Sequence, residues 1–328
     1  MLAATPIGSG HIHHTYKLVT GRGTYIAQQF NTHVFQHPER IHHNLRTAQT
    51  HLRNTAPAYS LLVPLANRQG EWLTYEDAAQ GWRLFPFLDG SRTIDVADTA
   101  HQAFAAAQAF GRLTKYLREA DVTHFQETIP RFHDLAFRYG QFQHTFHQAS
   151  HERMAQAHTV VEALRSFSFL VTDYEQAVAK GLPLRITHND TKINNVLFDE
   201  SLTRVLAPID LDTLMPGYFF YDLGDMLRTY VSPVGEEEND VTLISVRQPF
   251  YQAVLHGYLS EMDDVLTPLE RSLLPKAGLF MTYIMALRFA TDFLQGDTYF
   301  HTHYADQNLV RAANQITLLR LLQRQVSW

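Results

Sequence analysis

The sequence predicts an α+β protein with two lobes, a small antiparallel β-sheet lobe at residues 1–88 and a larger, mostly helical lobe at residues 89–328. Alternating residues and glycine-containing turns predict three consecutive strands between residues 5 and 30. From residue 93 onward, apolar residues recur mostly at helical spacing. The two patterns meet near Leu88, where we place the boundary between the lobes.

One helix and three apolar runs complete the predicted small lobe. Pro38 suits the first turn of a helix, which we expect to run to about Asn54. The apolar runs, each predicted as a strand, are residues 61–65, 71–75 and 81–88. The last run would connect the lobes, and its residues Phe85 and Phe87 could enclose an adenine. A plain strand that ends at Asp89 is the alternative.

The larger lobe should consist mainly of helices. We expect them at residues 93–121, 129–180 and 245–325. Apolar residues such as Val96, Phe104 and Leu113 predict the buried face of the first helical region. The most apolar stretch, residues 277–287, is too short to cross a bilayer, so we expect a buried helix and no membrane partner.

The composition argues against several classes of function. A formal net charge of −6 offers no general basic face to nucleic acid. The absence of cysteine excludes disulfides and thiol catalysis, and it fits a reducing cytoplasm. Residues 1–6 lack the features of a signal peptide, so we expect a cytoplasmic protein. The 19 histidines form no zinc-binding motif, and we interpret them as scattered surface residues.

The most informative stretch has the spacing His-x-Asp-x-x-x-x-Asn, formed by His188, Asp190 and Asn195. An apolar step, a turn at residues 199–201 and a second apolar step follow, and the second step leads to Asp210. In kinases, a loop Asp accepts the proton of the attacking hydroxyl, while a loop Asn and a downstream Asp hold Mg²⁺. We therefore predict Asp190 as the catalytic base and Asn195 and Asp210 as Mg²⁺ ligands.

Three further residues of this stretch are candidates for supporting roles. His188 is expected to brace the loop backbone, and Asp212 could hold the loop or assist the metal. Lys192 lies two residues after the predicted base, where it could stabilise the transferring phosphoryl group or be an ordinary surface amine. Each element alone also has an ordinary explanation, since acids near turns are usually solvated. Their order along the chain favours a kinase.

Four stretches together resemble the aminoglycoside phosphotransferase and choline kinase superfamily, and most of all its N-acetylhexosamine 1-kinases. They are Gly8-Ser9-Gly10-His11-Ile12 and residues 187–197, 209–217 and 288–297. The resemblance implies a protein-kinase-like bilobal fold, with ATP as co-substrate and Mg²⁺ as cofactor. It also implies that the acceptor is the anomeric hydroxyl of an N-acetylhexosamine, which would become a sugar 1-phosphate.

The resemblance also indicates nucleotide-binding and acceptor-binding residues. Gly8 and Gly10 would belong to a flap whose backbone N–H groups approach the phosphates. Gln28 occupies the third-strand position where kinases usually carry a phosphate-binding lysine, so metal or another cation must supply more charge. Arg288 and Asp292 share a helix face and would contact the sugar, with an ordinary salt bridge between them as the alternative.

The identity of the acceptor stays open at this level. An aminoglycoside, choline or homoserine is the alternative within the class, and the acidic loop at residues 236–240, otherwise expected as a solvated face, would suit a polycation. A non-catalytic nucleotide or sugar sensor on the same fold is a hypothesis of another class, motivated by the neutral Gln28. The intact set of Asp190, Asn195 and Asp210 argues against it, since a pure binder needs no base. Asp222 most resembles a structural acid that braces the catalytic loop.

Overall fold

The computed structural model describes residues 2–7, 13–32, 35–75 and 81–326. Within them, a five-stranded antiparallel sheet precedes a large helical part, as the α+β class predicts. The strands are β1 (Ala3–Pro6), β2 (His14–Thr20), β3 (Gly23–Phe30), β4 (Thr74–Tyr75) and β5 (Gly81–Pro86). They lie in the order β1-β2-β3-β5-β4, and a tight turn joins β2 to β3 with Thr20 opposite Gly23.

The predicted helix of the small lobe is confirmed as α1 (Pro38–Thr55), which buries Ile41, Leu45, Ala48 and Leu52 in one apolar cluster with Phe30 of β3. The spacing of three or four residues places these four side chains on one helix face.

Two predicted strands of the small lobe are wrong or shortened. Residues 61–65 form no strand, and among the described residues their backbone joins the sheet through the Leu65 N–H, which donates to the Leu84 carbonyl at 2.6 Å. Pro64 has no N–H with which to extend this pairing. The run 71–75 contributes only the two residues of β4.

The helices of the larger lobe are separated by caps that the periodicity alone did not reveal. They are α2 (Ala100–Tyr116), α3 (Leu135–Gln148), α4 (His151–Ser166), α5 (Phe169–Ala179), α6 (Phe219–Tyr230), α7 (Gln248–Met262), α8 (Pro268–Leu273), α9 (Ala277–Gln295) and α10 (Gln307–Val326). Thr99 caps α2 by accepting the Gln102 N–H, so the predicted helix 93–121 begins late. Val96 lies before this cap and is exposed, which corrects its placement in the core.

The centre of the larger lobe is α9, in which residues 277–294 are all buried. The stretch Pro268–Gln295 is long and apolar enough to cross a membrane, but its apolar 18-residue segment is completely buried in the protein. Gly257 of α7 allows close approach to α2, because a Cβ at this position would clash with the Phe104 carbonyl. The predicted buried helix at residues 277–287 is therefore confirmed.

Two short antiparallel pairs position the loops of the site. Strand β6 (Arg185–Thr187) pairs with β9 (Met215–Gly217), and β7 (Val196–Phe198) pairs with β8 (Val205–Pro208). One loop therefore connects β6 to β7 and a second connects β8 to β9. The Ile209 N–H donates to the Asn195 carbonyl at 2.8 Å, which holds the two loops side by side.

Candidate active site

The backbone of the loop that follows β6 is held by hydrogen bonds to two acids of α6. The Asp222 carboxylate accepts the backbone N–H groups of His188 and Asn189 at 3.0 and 2.7 Å, and Asp225 accepts the Thr191 N–H at 2.9 Å. All five residues are buried. Burial raises the pKa of Asp222 to about 6, although both N–H donors act in the opposite direction.

His188 connects the two loops through backbone contacts. Its Nδ1 accepts the Asp190 N–H at 3.3 Å, which leaves the proton on Nε2 to be donated to the Ile209 carbonyl at 2.8 Å. The Thr213 hydroxyl donates to the His188 carbonyl at 2.6 Å. The ring is fully buried, and its edge contacts Phe110. His188 therefore supports the loop backbone and does not face the cleft.

Asn195 orients the carboxylate of Asp190. Its side-chain Nδ2 donates to Asp190 Oδ2 at 3.0 Å and to the Asp190 backbone carbonyl at 2.9 Å. Because the NH₂ end of the amide is used in these two bonds, the Asn195 Oδ1 remains available for a cation. The predicted base and one predicted metal ligand are therefore in direct contact.

Asp210 lies at the start of the second loop in the left-handed backbone conformation, with φ of 56°. Solvent in the cleft reaches its side chain, yet the packed walls raise its pKa, and the Asp212 carboxylate raises it further. A bound cation would relieve this repulsion between acids. One carboxylate and one amide oxygen, completed by phosphate oxygens and water, match the ligands that Mg²⁺ prefers, so Asp210 and Asn195 fit the predicted metal.

Asp212 joins the two lobes through contacts with the β-sheet lobe. Arg83 of β5 donates to both of its oxygens, Nη1 to Oδ1 at 2.5 Å and Nη2 to Oδ2 at 2.7 Å. His13 contacts Asp212 Oδ2 through Nε2 at 2.9 Å, and all three residues are buried. Burial opposes ionisation of Asp212, but the Arg83 charge and these hydrogen bonds hold its pKa well below the ordinary value.

Ligand atoms of His13, Asp210 and Asp212 lie within 4.8 Å of one another, a spacing that could suit a metal. The hydrogen bonds argue against His13 as a ligand. Its Nδ1 accepts the Asn31 N–H at 3.0 Å, so the proton of the neutral ring is on Nε2, where it is donated to Asp212. A protonated nitrogen has no lone pair for a metal.

Two adjoining cavities form the cleft between the sheet and the helices. One, of about 290 Å³, is lined by Phe85 and Phe87, and the other, of about 840 Å³, is lined by Asp190 and Lys192. Both cavities share a wall. Its members are Thr15, Gln28, Asn194, Asn195 and Asp210. The predicted metal ligands thus lie where the more apolar cavity meets the more polar one.

The structure places the other predicted nucleotide residues as follows. Gly8 and Gly10 lie outside the described residues. Gln28, and not Gln29, lines the cleft, and its Nε2 donates to the Thr15 hydroxyl at 3.3 Å.

The acidic loop is not simply a solvated face. Glu236 pairs with the buried Arg228 at 2.5 Å, and Glu237 pairs with Arg311. Burial opposes the charge of Glu236, but Arg228 lowers its pKa to about 2. Residues 236–239 line the larger cavity beside Lys192, whose Nζ lies 4.0 Å from Asp190 Oδ1. The Asp190 charge raises the pKa of Lys192.

Arg288 and Asp292 do not form the salt bridge that was the alternative to a sugar-binding role. Asp292 accepts the backbone N–H groups of residues 298–300 and the Asn308 amide, so it fixes the loop after α9. Arg288 is buried at 8% exposure without a carboxylate partner in the described part of the chain. Its guanidinium lies 4.7 Å from the ring centre of Phe132 and 5.4 Å from that of Tyr299.

Sequence reasoning missed several residues on which the loops depend. Asp225 and Arg228 follow Asp222 at intervals of three, a helical spacing that could have indicated a shared face. Arg83 is the single charge in the apolar run 81–88, another usable signal. Nothing in the sequence near His13 indicated its contact with Asp212.

The chain is similar to known proteins in sequence and in fold. The model of the phosphotransferase enzyme family matches residues 3–264. A microcompartment-associated aminopropanol kinase has a similar structure, with 17% identity, a TM-score of 0.61, and coverage of 99% of this chain and 92% of that one. A spectinomycin phosphotransferase in complex with ADP and spectinomycin has 13% identity and a TM-score of 0.58, with coverage of 98% of this chain and 93% of that one. A Plasmodium vivax ethanolamine kinase also has 13% identity and a TM-score of 0.58, with coverage of 95% of this chain and 81% of that one.

At these identities the similar structures establish the fold alone, and they confirm the predicted protein-kinase-like, bilobal α+β class. The family match is independent of them and spans most of the sequence. On that ground, the chain belongs to the phosphotransferase enzyme family.

Proposed function

We propose that the protein is an ATP- and Mg²⁺-dependent kinase that phosphorylates a hydroxyl group of a small molecule. The observation that carries this proposal is the shared wall of the two cavities. Asn195 and Asp210 stand between the more apolar cavity of Phe85 and Phe87 and the more polar cavity of Asp190. A nucleotide whose base occupied the first cavity would direct its phosphates toward the second. The ADP found with the similar spectinomycin phosphotransferase supports ATP as the co-substrate.

Each residue then has a role in phosphoryl transfer. Asp190 accepts the proton of the acceptor hydroxyl while the hydroxyl oxygen forms a bond to the γ-phosphorus of ATP. The bond from the γ-phosphorus to the β–γ bridging oxygen breaks at the same time, and ADP leaves. Asn195 and Asp210 would hold Mg²⁺, which would supply charge neutralisation at the phosphates. Lys192 remains protonated beside Asp190 and stabilises the transferring group.

For the acceptor, we propose the anomeric hydroxyl of an N-acetylhexosamine. Arg288 supports this choice, because a buried guanidinium without an acidic partner can donate to sugar oxygens, and the exposed ring of Tyr299 beside it offers a surface for a pyranose. Arg288 is close enough to His133 for its charge to act on that ring. His133 in turn contacts the catalytic loop, because its Nε2 donates to the Asn189 carbonyl at 2.8 Å. Burial and the Arg288 charge lower the pKa of His133 well below its ordinary value, so this ring is neutral.

An alcohol that carries an amine is the second candidate. The acids Glu237 and Glu238 line the larger cavity and would attract a cation. The similar structures include kinases named for aminopropanol and ethanolamine, which are such alcohols. Glu237 is already paired with Arg311, which weakens its attraction for a further cation.

The same proposal includes the limits of the lobes and the setting of the reaction. We assign nucleotide binding to residues 1–88, and catalysis and acceptor binding to residues 89–328. A cysteine-free, ATP-dependent enzyme suits the cytoplasm, and we expect neither nucleic acid nor membrane as a partner.

The test is ADP release from ATP and Mg²⁺ with a panel of N-acetylglucosamine, N-acetylgalactosamine, glucose, choline and aminopropanol, followed by NMR of the product. We expect an N-acetylhexosamine to stimulate turnover and to yield a 1-phosphate. Stimulation by the amines alone would favour the second candidate. Binding of ATP without stimulation by any acceptor would favour a nucleotide or sugar sensor and contradict the proposal.

A further inference from the structure

The third strand lacks the usual phosphate-binding lysine, but the neighbouring strand carries a charge at the paired position. Gln28 of β3 lies directly opposite Arg83 of β5 in the antiparallel register. In kinases the lysine at the β3 position contacts the nucleotide phosphates. Side chains opposite each other on one sheet face have Cβ atoms about 5 Å apart, so Arg83 can reach the same region of the cleft.

The contacts of Arg83 fix its orientation without using all of its donors. Its Nε donates to Gln28 Oε1 at 2.7 Å, and its two Nη atoms donate to Asp212. A guanidinium has five N–H groups, and these three bonds leave two. The rings of Phe30 and Phe85 lie 5.0 and 5.2 Å from the guanidinium carbon, so the group has little room to turn.

Arg83 also lies beside the shared wall toward which the phosphates would point, because it is hydrogen-bonded to Gln28 of that wall. It lines the smaller cavity together with Phe85, Gln28 and Asp210. A buried ion pair alone adds little to stability, because desolvation offsets much of the attraction. The position of the Arg83–Asp212 pair on the wall of the cavity suggests a role in binding.

We propose that Arg83 is the phosphate-binding cation of the nucleotide site and replaces, from β5, the lysine that β3 lacks. Asp212 and His13 are positioning residues in this scheme, since they hold the guanidinium and leave two of its N–H groups for the α- and β-phosphates. Gln28 accepts from Nε and so fixes the third edge of the Arg83 guanidinium. The inference rests on the proposed nucleotide site and adds the charge that site would otherwise lack.

The test compares binding of ADP and adenosine, because only ADP carries phosphates. In Arg83→Gln we expect ADP affinity to fall about 10- to 100-fold, as for loss of a charged hydrogen bond, while adenosine affinity changes by less than about twofold. Equal losses for both ligands would mean a purely structural role and would overturn the inference. The matched control is Arg185→Gln, which breaks the buried Arg185–Glu270 pair outside both cavities. It should keep the wild-type ratio of ADP to adenosine affinity.

A strand-to-strand exchange provides the second arm. The double variant Gln28→Lys/Arg83→Gln moves the cation from β5 back to β3, and it should bind ADP at least about tenfold more tightly than Arg83→Gln alone. If it binds ADP no more tightly, the inference that Arg83 replaces the β3 lysine is overturned. If Arg83→Gln does not fold, Arg83→Lys replaces it, because lysine gives up the two-pronged contact with Asp212. Its ADP affinity should fall severalfold with adenosine unaffected, and equal changes would overturn the inference. A wild-type protein that binds neither ligand would instead contradict the proposed function itself.

Discussion

The side-chain amide of Asn195 donates to both the carboxylate and the backbone carbonyl of Asp190, at 3.0 and 2.9 Å. One residue therefore links the predicted base to the predicted metal site. Its nitrogen orients Asp190, and its oxygen remains free for Mg²⁺. The side chain also lines both cavities, at the point where a γ-phosphate would lie.

Replacement of this amide should therefore affect metal use and turnover together. In Asn195→Ala we expect kcat to fall roughly 100-fold and the Mg²⁺ concentration for half-maximal rate to rise, because a metal ligand and a brace of Asp190 are both lost. Steady-state kinetics across a Mg²⁺ titration provides the measurement. The control is Asn54→Ala on the exposed surface of α1, which should match wild type. An unchanged Mg²⁺ dependence in Asn195→Ala would contradict the assignment.

Gly217 should tolerate no side chain. A Cβ there would clash with the Thr187 hydroxyl and lie 2.7 Å from Asn189 Oδ1, both in the segment leading into the catalytic loop. We expect Gly217→Ala to lose about 1–3 kcal/mol of unfolding free energy, the usual cost of overpacking, and to lower kcat. Gly140 of α3 has nothing within 4 Å of a built Cβ, so Gly140→Ala should stabilise by about 0.5–1 kcal/mol. Urea denaturation measures both unfolding free energies. Equal changes in Gly217→Ala and Gly140→Ala would contradict the prediction that a side chain at Gly217 is crowded.

Arg228 should contribute more to stability than surface arginines do. It is buried between Asp225, which supports the catalytic loop, and Glu236 on the cavity wall. Removing one partner leaves uncompensated buried charge, so Arg228→Met should cost about 3–5 kcal/mol. Arg271→Met, which breaks the exposed pair with Asp263, should cost less than about 1 kcal/mol. Comparable losses for both variants in urea denaturation would contradict this account.

Asp222 should make stability and activity respond to pH in opposite directions. Its folded-state pKa of about 6 lies above the ordinary value of 3.8. Between these pH values the folded protein binds more protons than the unfolded chain, so this group lowers stability by up to about 3 kcal/mol as pH rises. Activity should instead rise through about pH 6, because the carboxylate form accepts both loop N–H groups best.

Asp222→Asn provides the check on this pH dependence, since it does not titrate. The unfolding free energy of wild type minus that of the variant should decrease from pH 4 to pH 6.5. A difference that is constant or that increases over this range would show that Asp222 does not hold a proton in the folded state.

The sequence was sufficient for those parts of the site that depend on local spacing. Asp190 and Asn195 lie five residues apart on one loop, and a short hairpin returns Asp210 to them, so a motif alone could group them. The contacts of Asp212 with Arg83 and His13 span 129 and 199 residues, and only the docking of the lobes creates them.

Similar limits explain one wrong prediction, the burial of Val96, and one alternative that the structure does not show, the Arg288–Asp292 salt bridge. Helical periodicity could not show that Thr99 starts α2 late and leaves Val96 exposed, because the cap depends on a side-chain hydrogen bond. The i, i+4 spacing placed Arg288 and Asp292 on one helix face, but it could not show that Asp292 accepts N–H groups from the following loop instead. Local patterns predict which residues are neighbours, and packing decides which of them bond.

Asp190→Asn tests the central claim most directly, because asparagine keeps the size of the side chain but cannot accept the proton. The measurement is acceptor-dependent ADP release in the presence of Mg²⁺, together with ADP affinity by titration calorimetry. We expect turnover to fall at least about 100-fold, the contribution of a general base, with ADP affinity within about threefold of wild type. Turnover close to wild type would contradict the assignment of Asp190 as the base.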